Sequence, residues 1–296
     1  NGKGCAWCRG GEVFLRALGT QDIGDYKQPM KHLEIGGIKW FFRDDHFAEF
    51  IKGFLPDEYR KRGHFTFEHQ NKRAFIKYFR EEGVYGFVRN RLQPRGKKEF
   101  LLGRKLTSLC IPTPEPLGYG ISEGGSYIVQ ELLEGTTLTD VFEKADDKSK
   151  LLIDLARFLK TLKVCHVRHN DLHLNNIIAK NGVLHLVDLH KTQIKKLFTL
   201  DDEVSNIAHA ITMVYQGMDE DEKTLFFKEY GNEDIKLPVE AELKRLRHRW
   251  IDKKKKRAFN NTSIMTVEGD CVCIAGCKDM GRGVLVGTIK EDKKVR

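Results

Sequence analysis

The most informative segment of the chain reads H-N-D-L-H-L-N-N from His169 to Asn176, and V-D-L follows with Asp188 at its centre. A lone Asp or Asn in a loop usually serves only to form a turn. Here two carboxylates and an amide follow an amphipathic stretch at 150–162, and the second carboxylate comes twelve residues after Asn176. Such a set is hard to obtain by chance, so the segment predicts a polar site between a helix and a short strand.

This spacing matches the kinase catalytic loop, H-x-D-L-x-x-x-N, with a metal-binding Asp on the hairpin that comes next. In a phosphoryl-transfer site one carboxylate orients the attacking hydroxyl and takes its proton, and Asp171 fills that position. A second carboxylate and an amide hold Mg²⁺ against the β- and γ-phosphates of ATP, and Asp188 and Asn176 fill those positions. The segment therefore predicts a phosphotransferase that uses ATP and Mg²⁺.

The upstream half supplies the other parts that a kinase needs. Lys77 lies in F-I-K-Y on a predicted strand, where the kinase lysine grips the α- and β-phosphates. Glu99 comes twenty-two residues later on the next predicted helix and can pair with Lys77. The stretch Y-I-V-Q-E-L-L-E-G fits a hinge between two lobes, whose backbone at Glu131 and Leu133 binds adenine. A single Lys or Glu is equally typical of a solvated surface, so this prediction depends on the spacing.

One part of the kinase pattern is missing, because no G-x-G-x-x-G precedes Lys77. The nearest candidate for a turn that covers the phosphates is R-K-R-G-H at 60–64, which offers one glycine and several cations. We expect basic side chains to replace backbone amides at this turn.

The hydrophobic pattern predicts strands first and helices later. Strands are expected at 32–42, 64–79 (a hairpin), 126–133 and 183–189, helices at 96–109, 150–162, 201–217, 219–230 and 239–259, and a terminal hairpin at 269–289. We therefore expect an α+β, protein-kinase-like bilobal fold with a small β-rich N-lobe and a larger, mainly helical C-lobe. The expected boundaries are an N-terminal extension at 1–30, the N-lobe at 31–130 and the C-lobe at 131–296.

The charge of the chain favours anionic partners. Its 296 residues carry 51 Lys+Arg against 42 Asp+Glu, a net charge of +9. Nine of the basic residues and a single acid, Asp252, fall between Lys244 and Arg257. This segment suits an anionic membrane surface, although a solvated helix face has the same composition. Trp250 is the only aromatic residue among these cations, so we expect no dedicated nucleic-acid partner.

The seven cysteines lie at 5, 8, 110, 165, 271, 273 and 277. Their odd number argues against a disulfide framework and for a reducing compartment. Cys5 and Cys8 have zinc-like spacing, whereas Cys271, Cys273 and Cys277 are spaced irregularly, and C-V-C-I is equally typical of a half-buried strand. No uninterrupted apolar stretch of about 18 residues is present, and the first thirty residues do not read as a signal peptide.

The combination of H-N-D at 169–171 with V-D-L-H-K-T-Q at 187–193 resembles the lipopolysaccharide kinase family. Members of that family resemble protein kinases in fold and carry D-L-H-[RK]-x-Q where protein kinases have D-F-G. The strand F-I-K-Y-F-R at 75–80 and the segment R-A-F-N-N-T-S-I at 257–264 are similar to further parts of it. The resemblance runs from about Asp57 to Val267 and is tightest at 168–193.

The resemblance implies ATP-dependent phosphorylation of a heptose or Kdo sugar of the lipopolysaccharide inner core. It implies Asp171 as the catalytic base and Asn176 and Asp188 as the Mg²⁺ ligands. Lys77, held by Glu99, then neutralises the phosphates of ATP.

The same resemblance implies a lipid-anchored acceptor at the cytoplasmic face of the inner membrane of a Gram-negative bacterium. The Lys244–Arg257 segment suits contact with an acidic leaflet, where each basic residue contributes about 1 kcal/mol. His169 supports the loop backbone, and His190 and Gln193 either help to place the acceptor sugar or serve the structure.

Two other readings of the same residues stay open. A small-molecule kinase of the aminoglycoside or choline type uses a similar H-x-D-L-H-x-x-N loop, although D-L-H-K at 188–191 is less typical of it. A nucleotide-binding pseudokinase is the second, although Lys77, Asp171, Asn176 and Asp188 together argue against a dead enzyme. A protein kinase is disfavoured, because no A-P-E follows and the helix predicted at 201 leaves no room for an activation loop.

Overall fold

The structure is a computed structural model that describes residues 30–54, 63–69, 71–258, 265–268 and 271–274. Its first part is an antiparallel six-stranded sheet with three helices. The strands are β1 (Lys31–Ile35), β2 (Ile38–Phe42), β3 (His64–His69), β4 (Lys72–Arg80), β5 (Pro116–Ser122) and β6 (Gly125–Glu131), and the helices are α1 (Asp45–Lys52), α2 (Gly83–Leu92) and α3 (Arg95–Ser108). The strand order is β1-β2-β5-β6-β4-β3, so β4, which carries Lys77, is an inner strand.

Alternation of apolar and polar side chains accounts for this sheet. On β2 the side chains of Ile38, Trp40 and Phe42 are buried, whereas Lys39 between them is exposed. The Trp40 ring meets the ring of Phe54 edge-on, with 5.4 Å between the ring centroids. Aromatic side chains of this kind bury large areas with defined geometry, so the sheet forms a rigid platform for Lys77.

The second part is mainly helical. Its helices are α4 (Leu138–Lys144), α5 (Ser149–Val164), α6 (Leu200–Ile211), α7 (Glu220–Tyr230) and α8 (Lys236–Ala258). Its strands are β7 (Thr136–Thr137), β8 (Val167–His169), β9 (Ile177–Lys180), β10 (Val183–Leu186), β11 (Thr192–Ile194), β12 (Met265–Glu268) and β13 (Cys271–Ile274). Helix α5 buries Leu152, Leu155, Leu159 and Leu162, which recur at helical spacing, and this stripe forms the centre of the helical core.

The expected α+β fold, with a β-rich first part and a mainly helical second part, is confirmed. The boundaries at 30/31 and 130/131 stay predictions, and residues 1–29 lie outside the described residues. Several elements are additional to those that the pattern predicted, among them helices α1, α2 and α4 and the inner strand β5. The basic helix begins at Lys236, three residues earlier than expected.

Two predicted ends were wrong. The strand expected at 183–189 ends at Leu186, because Asp188 adopts a left-handed backbone conformation with φ of +57°. The helix expected at 201–217 ends at Ile211, and a separate 3₁₀ turn covers Tyr215–Gly217. Of the hairpin expected at 269–289, only Cys271–Ile274 (β13) is described; it pairs with β12, and residues after 274 lie outside the described part.

Polar contacts join the two parts beside the 169–176 loop. The Leu186 N–H donates to the carbonyl of Pro112 at 2.8 Å, and the Thr113 hydroxyl donates to the carbonyl of Leu186 at 2.8 Å. Lys180 on β9 reaches the carboxylate of Glu131 at the end of β6, 3.2 Å away. These contacts fix the position of β10, and therefore of the Asp188 turn, relative to the sheet.

Helix α3 lies against β6 at Gly96. A Cβ atom at this position would stand 2.2 Å from the carbonyl oxygen of Tyr127, and the Gly96 N–H donates to the buried hydroxyl of Ser126 at 3.0 Å. The lack of a side chain at Gly96 therefore sets the distance between the sheet and the helix that carries Glu99.

We predict that Gly96→Ala lowers the free energy of unfolding by about 2–3 kcal/mol, because either the helix or the strand has to move away. Gly217→Ala is the matched control, since a Cβ there meets no atom within 4 Å. Urea unfolding of both variants measures the effect. Equal losses in the two variants would contradict the close approach of α3 to the sheet.

Candidate active site

The base of the 169–176 loop is held by Asn206 on α6. The Asn206 amide oxygen accepts a hydrogen bond from the His169 N–H at 3.1 Å, and its amide nitrogen donates to the carbonyl of Val167 at 2.8 Å. All three residues are buried. Because a buried backbone group without a partner costs about 1–3 kcal/mol, the amide of Asn206 stabilises the end of β8 in one position.

Asp202 anchors the same helix to the strands on both sides of the site. Its buried carboxylate accepts hydrogen bonds from Arg168, from Lys195 Nζ at 2.8 Å and from the backbone N–H of Thr199 at 3.0 Å. Burial acts to raise the pKa of Asp202, but these hydrogen bonds outweigh it and hold the pKa well below its usual range. The ionised Asp202 thus ties α6 to β8 and to the segment after β11.

The buried ring of His169 links the two acids of the motif, Asp171 and Asp188. Its Nδ1 accepts the N–H of Asp171 at 3.2 Å, so Nε2 carries the proton and donates to the carbonyl of Asp188 at 3.2 Å. Burial lowers the pKa of His169 to about 4, so the ring is neutral at pH 7. The loop and the Asp188 turn are therefore joined through one uncharged side chain.

Asp188 and Lys77 form the contact between the two parts of the chain at the site. Lys77 on β4 donates to Asp188 Oδ1, and the His190 ring lies 2.6 Å from the same oxygen. Burial acts to raise the pKa of Asp188, but the hydrogen bonds from His190 and Lys77 hold it well below its usual range. The left-handed backbone of Asp188, rare for a residue with a side chain, is typical of functional turns.

Glu99 on α3 is a further member of this charged cluster. Its side chain is 2% exposed, and Oε2 lies 3.6 Å from Lys77 Nζ. Burial raises the pKa of Glu99, and the positive charge of Lys77 opposes that shift. Lys77 thus stands between two carboxylates, Glu99 and Asp188, and the structure brings these three predicted residues together.

Asp171 pairs with a lysine from the turn after Asp188. Lys191 Nζ donates to Asp171 Oδ2 at 2.6 Å. Burial acts to raise the pKa of Asp171, but the hydrogen bond and the charge of Lys191 outweigh it and hold the pKa below the ordinary value. The backbone on both sides is also joined, because the N–H of Asn170 donates to the carbonyl of Lys191 at 3.1 Å.

Asn176 lies at the other end of the loop, largely buried. Its amide nitrogen donates to the carbonyl of Asp171 at 2.9 Å, and its own carbonyl accepts the N–H of Val187 at 3.0 Å. The side-chain oxygen of Asn176 and the carboxylate of Asp188 are hard oxygen donors, which Mg²⁺ prefers. Within the described part of the chain, Lys77 and His190 both contact Oδ1 of Asp188, which leaves Oδ2 for a cation. The donor set therefore fits Mg²⁺ bound together with phosphate oxygens.

The predicted hinge lies at the junction of the two parts. Glu131 ends β6, and its N–H donates to the carbonyl of Glu115 at 2.8 Å. Leu133, two residues later, is partly buried. The proposed adenine contacts of Glu131 and Leu133 stay a prediction. Of the candidate phosphate-covering turn, residues 60–62 lie outside the described residues, and His64 pairs with Lys77 across β3 and β4.

Three residues that the sequence reasoning left without a role belong to this site: Lys191, Asn206 and His173, whose ring nitrogen lies 3.1 Å from the amide of Asn176. Lys191 lies within the D-L-H-K segment, so its place in the motif was the available signal. Nothing in the local sequence marks Asn206, because its two partners are more than thirty residues away.

The structure describes some of the cysteines and part of the chain in which a membrane helix could occur. Cys271 and Cys273 lie in β13, as the strand reading expected, whereas Cys5, Cys8 and Cys277 lie outside the described residues. Within the described ranges, His, Cys, Asp and Glu side chains form no group of three or more that could hold a metal ion. No helix in the same part of the chain has the length and apolar composition needed to cross a bilayer.

Comparison with known proteins finds relatives that match only part of this chain. The EKC/KEOPS complex subunit BUD32 of Encephalitozoon cuniculi is 36% identical over 84 residues, which are 28% of this chain and 41% of that protein. An uncharacterized protein of Dictyostelium discoideum is 34% identical over 77 residues, 26% of this chain and 8% of that protein. The chain thus spans less than half of the length of either relative.

Two solved structures align over more of the chain, both at 17% identity. WaaP in complex with acyl carrier protein aligns with 82% of this chain and 92% of its own, at a TM-score of 0.47. The bifunctional kinase-methyltransferase WbdD aligns with 72% of this chain and 53% of its own, at a TM-score of 0.41.

The family comparison covers more than half of the chain. The family model of the lipopolysaccharide kinase (Kdo/WaaP) family matches residues 52–209, a range that contains Lys77, Glu99, Asp171, Asn176 and Asp188. By this match the chain belongs to the lipopolysaccharide kinase (Kdo/WaaP) family, a family of phosphotransferases that act on sugars.

Proposed function

We propose that the chain transfers the γ-phosphoryl group of ATP to a hydroxyl of a heptose or Kdo sugar in the lipopolysaccharide inner core. Membership of the lipopolysaccharide kinase family supports this proposal. The observation that carries it is the ring of His169, whose two nitrogens contact the backbones of Asp171 and Asp188. That bridge couples a candidate base to a candidate metal ligand, which is the pairing that phosphoryl transfer requires.

In this proposal Lys77 contacts the α- and β-phosphates, with Glu99 holding its ammonium in place. Asn176 and Asp188 hold Mg²⁺, which when bound neutralises charge that develops on the transferred phosphate. The low pKa of Asp188 supports the second role, because only the ionised carboxylate is a good ligand. The backbone at Glu131 and Leu133 receives the adenine ring.

Asp171 acts on the acceptor. It accepts the proton of the sugar hydroxyl as the hydroxyl oxygen forms its bond to the γ-phosphorus. The bond from that phosphorus to the β–γ bridging oxygen breaks, so the products are ADP and a sugar phosphate monoester. The depressed pKa of Asp171 keeps the side chain ionised, and therefore able to accept the proton, down to acidic pH.

Lys191 has a positioning role in the same step. The ammonium of Lys191 lies 2.6 Å from the carboxylate of Asp171, and Lys191 belongs to the turn that follows Asp188. A cation there can neutralise an incoming phosphoryl group and can hold the carboxylate of Asp171 toward the acceptor. Family membership alone does not assign this role to Lys191.

The basic segment Lys244–Arg257 lies on α8. Arg245 and Arg249 both pair with the buried carboxylate of Glu242, at 2.5 and 3.0 Å. Lys244, Arg247 and Lys253 are exposed, and they supply the charge that we assign to contact with the anionic inner membrane of a Gram-negative bacterium. A lipid-anchored acceptor and a peripheral location at the cytoplasmic face follow from the same proposal.

We predict that Asp171→Asn and Asp188→Asn each lower turnover at least about 100-fold, because one removes the proton acceptor and the other the metal ligand. ADP formation with phosphate-free inner-core lipopolysaccharide, ATP and Mg²⁺ is the measurement. Asp201→Asn, at an exposed carboxylate in the first turn of α6, is the matched control and retains activity. Turnover within tenfold of the wild type in either site variant would refute the assigned roles.

We predict that Lys191→Met lowers kcat by about 10- to 100-fold and moves the acidic limb of the pH profile of kcat to higher pH. The sign follows from Asp171: its pKa is depressed by Lys191, so removal of the ammonium raises that pKa and protonates the base at higher pH.

Lys196→Met removes an exposed lysine five residues away and serves as the control for Lys191→Met. Steady-state rates between about pH 3 and pH 8 are the measurement, because the acidic limb set by Asp171 lies at the acidic end of that range. If kcat falls without a shift of the acidic limb, Lys191 does not act through Asp171.

A further inference from the structure

Helix α2 (Gly83–Leu92) has its apolar and polar sides reversed. Gly86 and Asn90 are buried against the sheet, and the Asn90 amide donates to the carbonyl of Ser122 at 2.8 Å. Val84, Tyr85 and Leu92 are 84%, 78% and 79% exposed. A helix on the surface of a globular domain ordinarily buries its apolar side, so this arrangement needs an explanation.

The exposed apolar side chains form one ridge. Val84, Val88 and Leu92 are spaced four residues apart, so they stack along one side of the helix, and Tyr85 and Phe87 flank them. Gly86 is two residues from Val84 and from Val88, more than half a helical turn, so it falls on the opposite side. All five apolar residues of the ridge are among the exposed large hydrophobic residues of the described chain. Exposed apolar ridges of this kind mark binding surfaces.

Polar anchors on the inner side fix the helix with this ridge outward. The buried carboxylate of Glu81 pairs with Arg89 from within α2 and with Arg95, 3.3 Å away, just beyond it. A Cβ atom on Gly86 would stand only 3.1 Å from the backbone of Glu81. Helix α2 therefore packs closely against the segment that contains Glu81. The exposure of the ridge is therefore built into the fold and is not the result of a loosely attached segment.

Cations outnumber acids around the ridge, where the exposed Glu82 beside the first turn of α2 pairs with Arg80. Residues 83–98 contain five Lys or Arg and no Asp or Glu. Arg89 and Arg95 pair with Glu81, whereas Arg91, Lys97 and Lys98 are exposed next to the end of the ridge. An apolar ridge bordered by exposed cations is complementary to a surface with an apolar interior and anionic headgroups.

We propose that α2 is a membrane-binding helix that lies in the interface of an anionic bilayer, with Val84, Tyr85, Val88 and Leu92 inserted between lipids. A fluid bilayer accepts side chains that stand clear of the protein surface without a groove shaped to receive them. A helix of ten residues, about 15 Å long, is suited to lie along the interface. The inference rests on the proposed function for its setting, because a lipid-anchored acceptor gives the chain a membrane to work at.

This contact differs in kind from that proposed for the basic segment on α8. The α8 segment is highly charged, with Trp250 as its exposed large apolar side chain in the described part, so its attraction to lipid is mainly electrostatic and weakens in salt. Insertion of the α2 ridge buries apolar area and is much less sensitive to salt.

The test uses the full chain and flotation with vesicles of phosphatidylcholine, with or without phosphatidylglycerol. We expect the wild type to bind the anionic vesicles, and Val84→Ser/Leu92→Ser to bind at least about tenfold more weakly at high salt. Leu197→Ser/Leu237→Ser is the matched control, because these leucines are 73% and 74% exposed elsewhere and their loss leaves binding unchanged. Equal vesicle binding by the wild type and the Val84/Leu92 variant would overturn the inference, as would failure of the wild type to bind.

Two further measurements distinguish insertion of the ridge into lipid from self-association of the chain. Tyr85→Trp places a probe on the ridge, and we expect brominated lipid to quench additional fluorescence relative to the wild type; no additional quenching would overturn the inference. A concentration-dependent dimer in light scattering that Val84→Ser/Leu92→Ser abolishes would instead assign the ridge to a second copy of the chain.

Phosphorylation of a soluble, deacylated core oligosaccharide distinguishes this inference from the proposed function. The Val84→Ser/Leu92→Ser variant keeps that activity, because α2 contributes no residue to the site. If the chain phosphorylates no sugar and the variant still loses vesicle binding, the membrane helix stands and the proposed function fails.

Discussion

The ion pair between Lys77 and Asp188 is the contact on which the rest of the site depends. Lys77 belongs to an inner strand of the sheet, Asp188 to a turn of the helical part, and buried Glu99 approaches from α3. Removing Lys77 would leave the buried carboxylate of Glu99 without its cation, which is far more costly than the pair is stabilising. These charges hold the sheet, α3 and the Asp188 turn in one relative position. They are the same charges that we expect a nucleotide and its cation to contact.

Beneath that ion pair lies a polar framework in which each member has a separate task. Neutral His169 joins the Asp171 loop to the Asp188 turn, Asn206 satisfies the buried backbone of β8, and ionised Asp202 ties α6 to both neighbouring segments. A buried network of this kind is stabilising only when its members are satisfied together, so it specifies one arrangement of the loop. The proposed catalysis requires that rigidity, because phosphoryl transfer depends on positioning more than on covalent chemistry.

The fold and the predicted site were accessible from the sequence to different extents. Element type and spacing predicted that Lys77 and Glu99 meet, because a strand lysine and a helix glutamate are placed by their own periodicity. The role of Asn206 was not accessible, since it depends on contacts across the fold that no local pattern encodes. Helix α2 was missed because its glycine and β-branched residues have low helix propensity, and its position is instead fixed by Glu81. The end of β10 was misplaced because the left-handed turn at Asp188 is a tertiary feature.

Phosphorus NMR of the reaction with phosphate-free inner-core lipopolysaccharide, ATP and Mg²⁺ tests the central claim most directly. We predict a new phosphate-monoester resonance on a core sugar, with one ADP formed for each phosphate transferred. ATP binding without turnover would instead describe a nucleotide-binding pseudokinase. Phosphorylation of aminoglycosides or choline, with no resonance on the core sugar, would contradict the proposed acceptor.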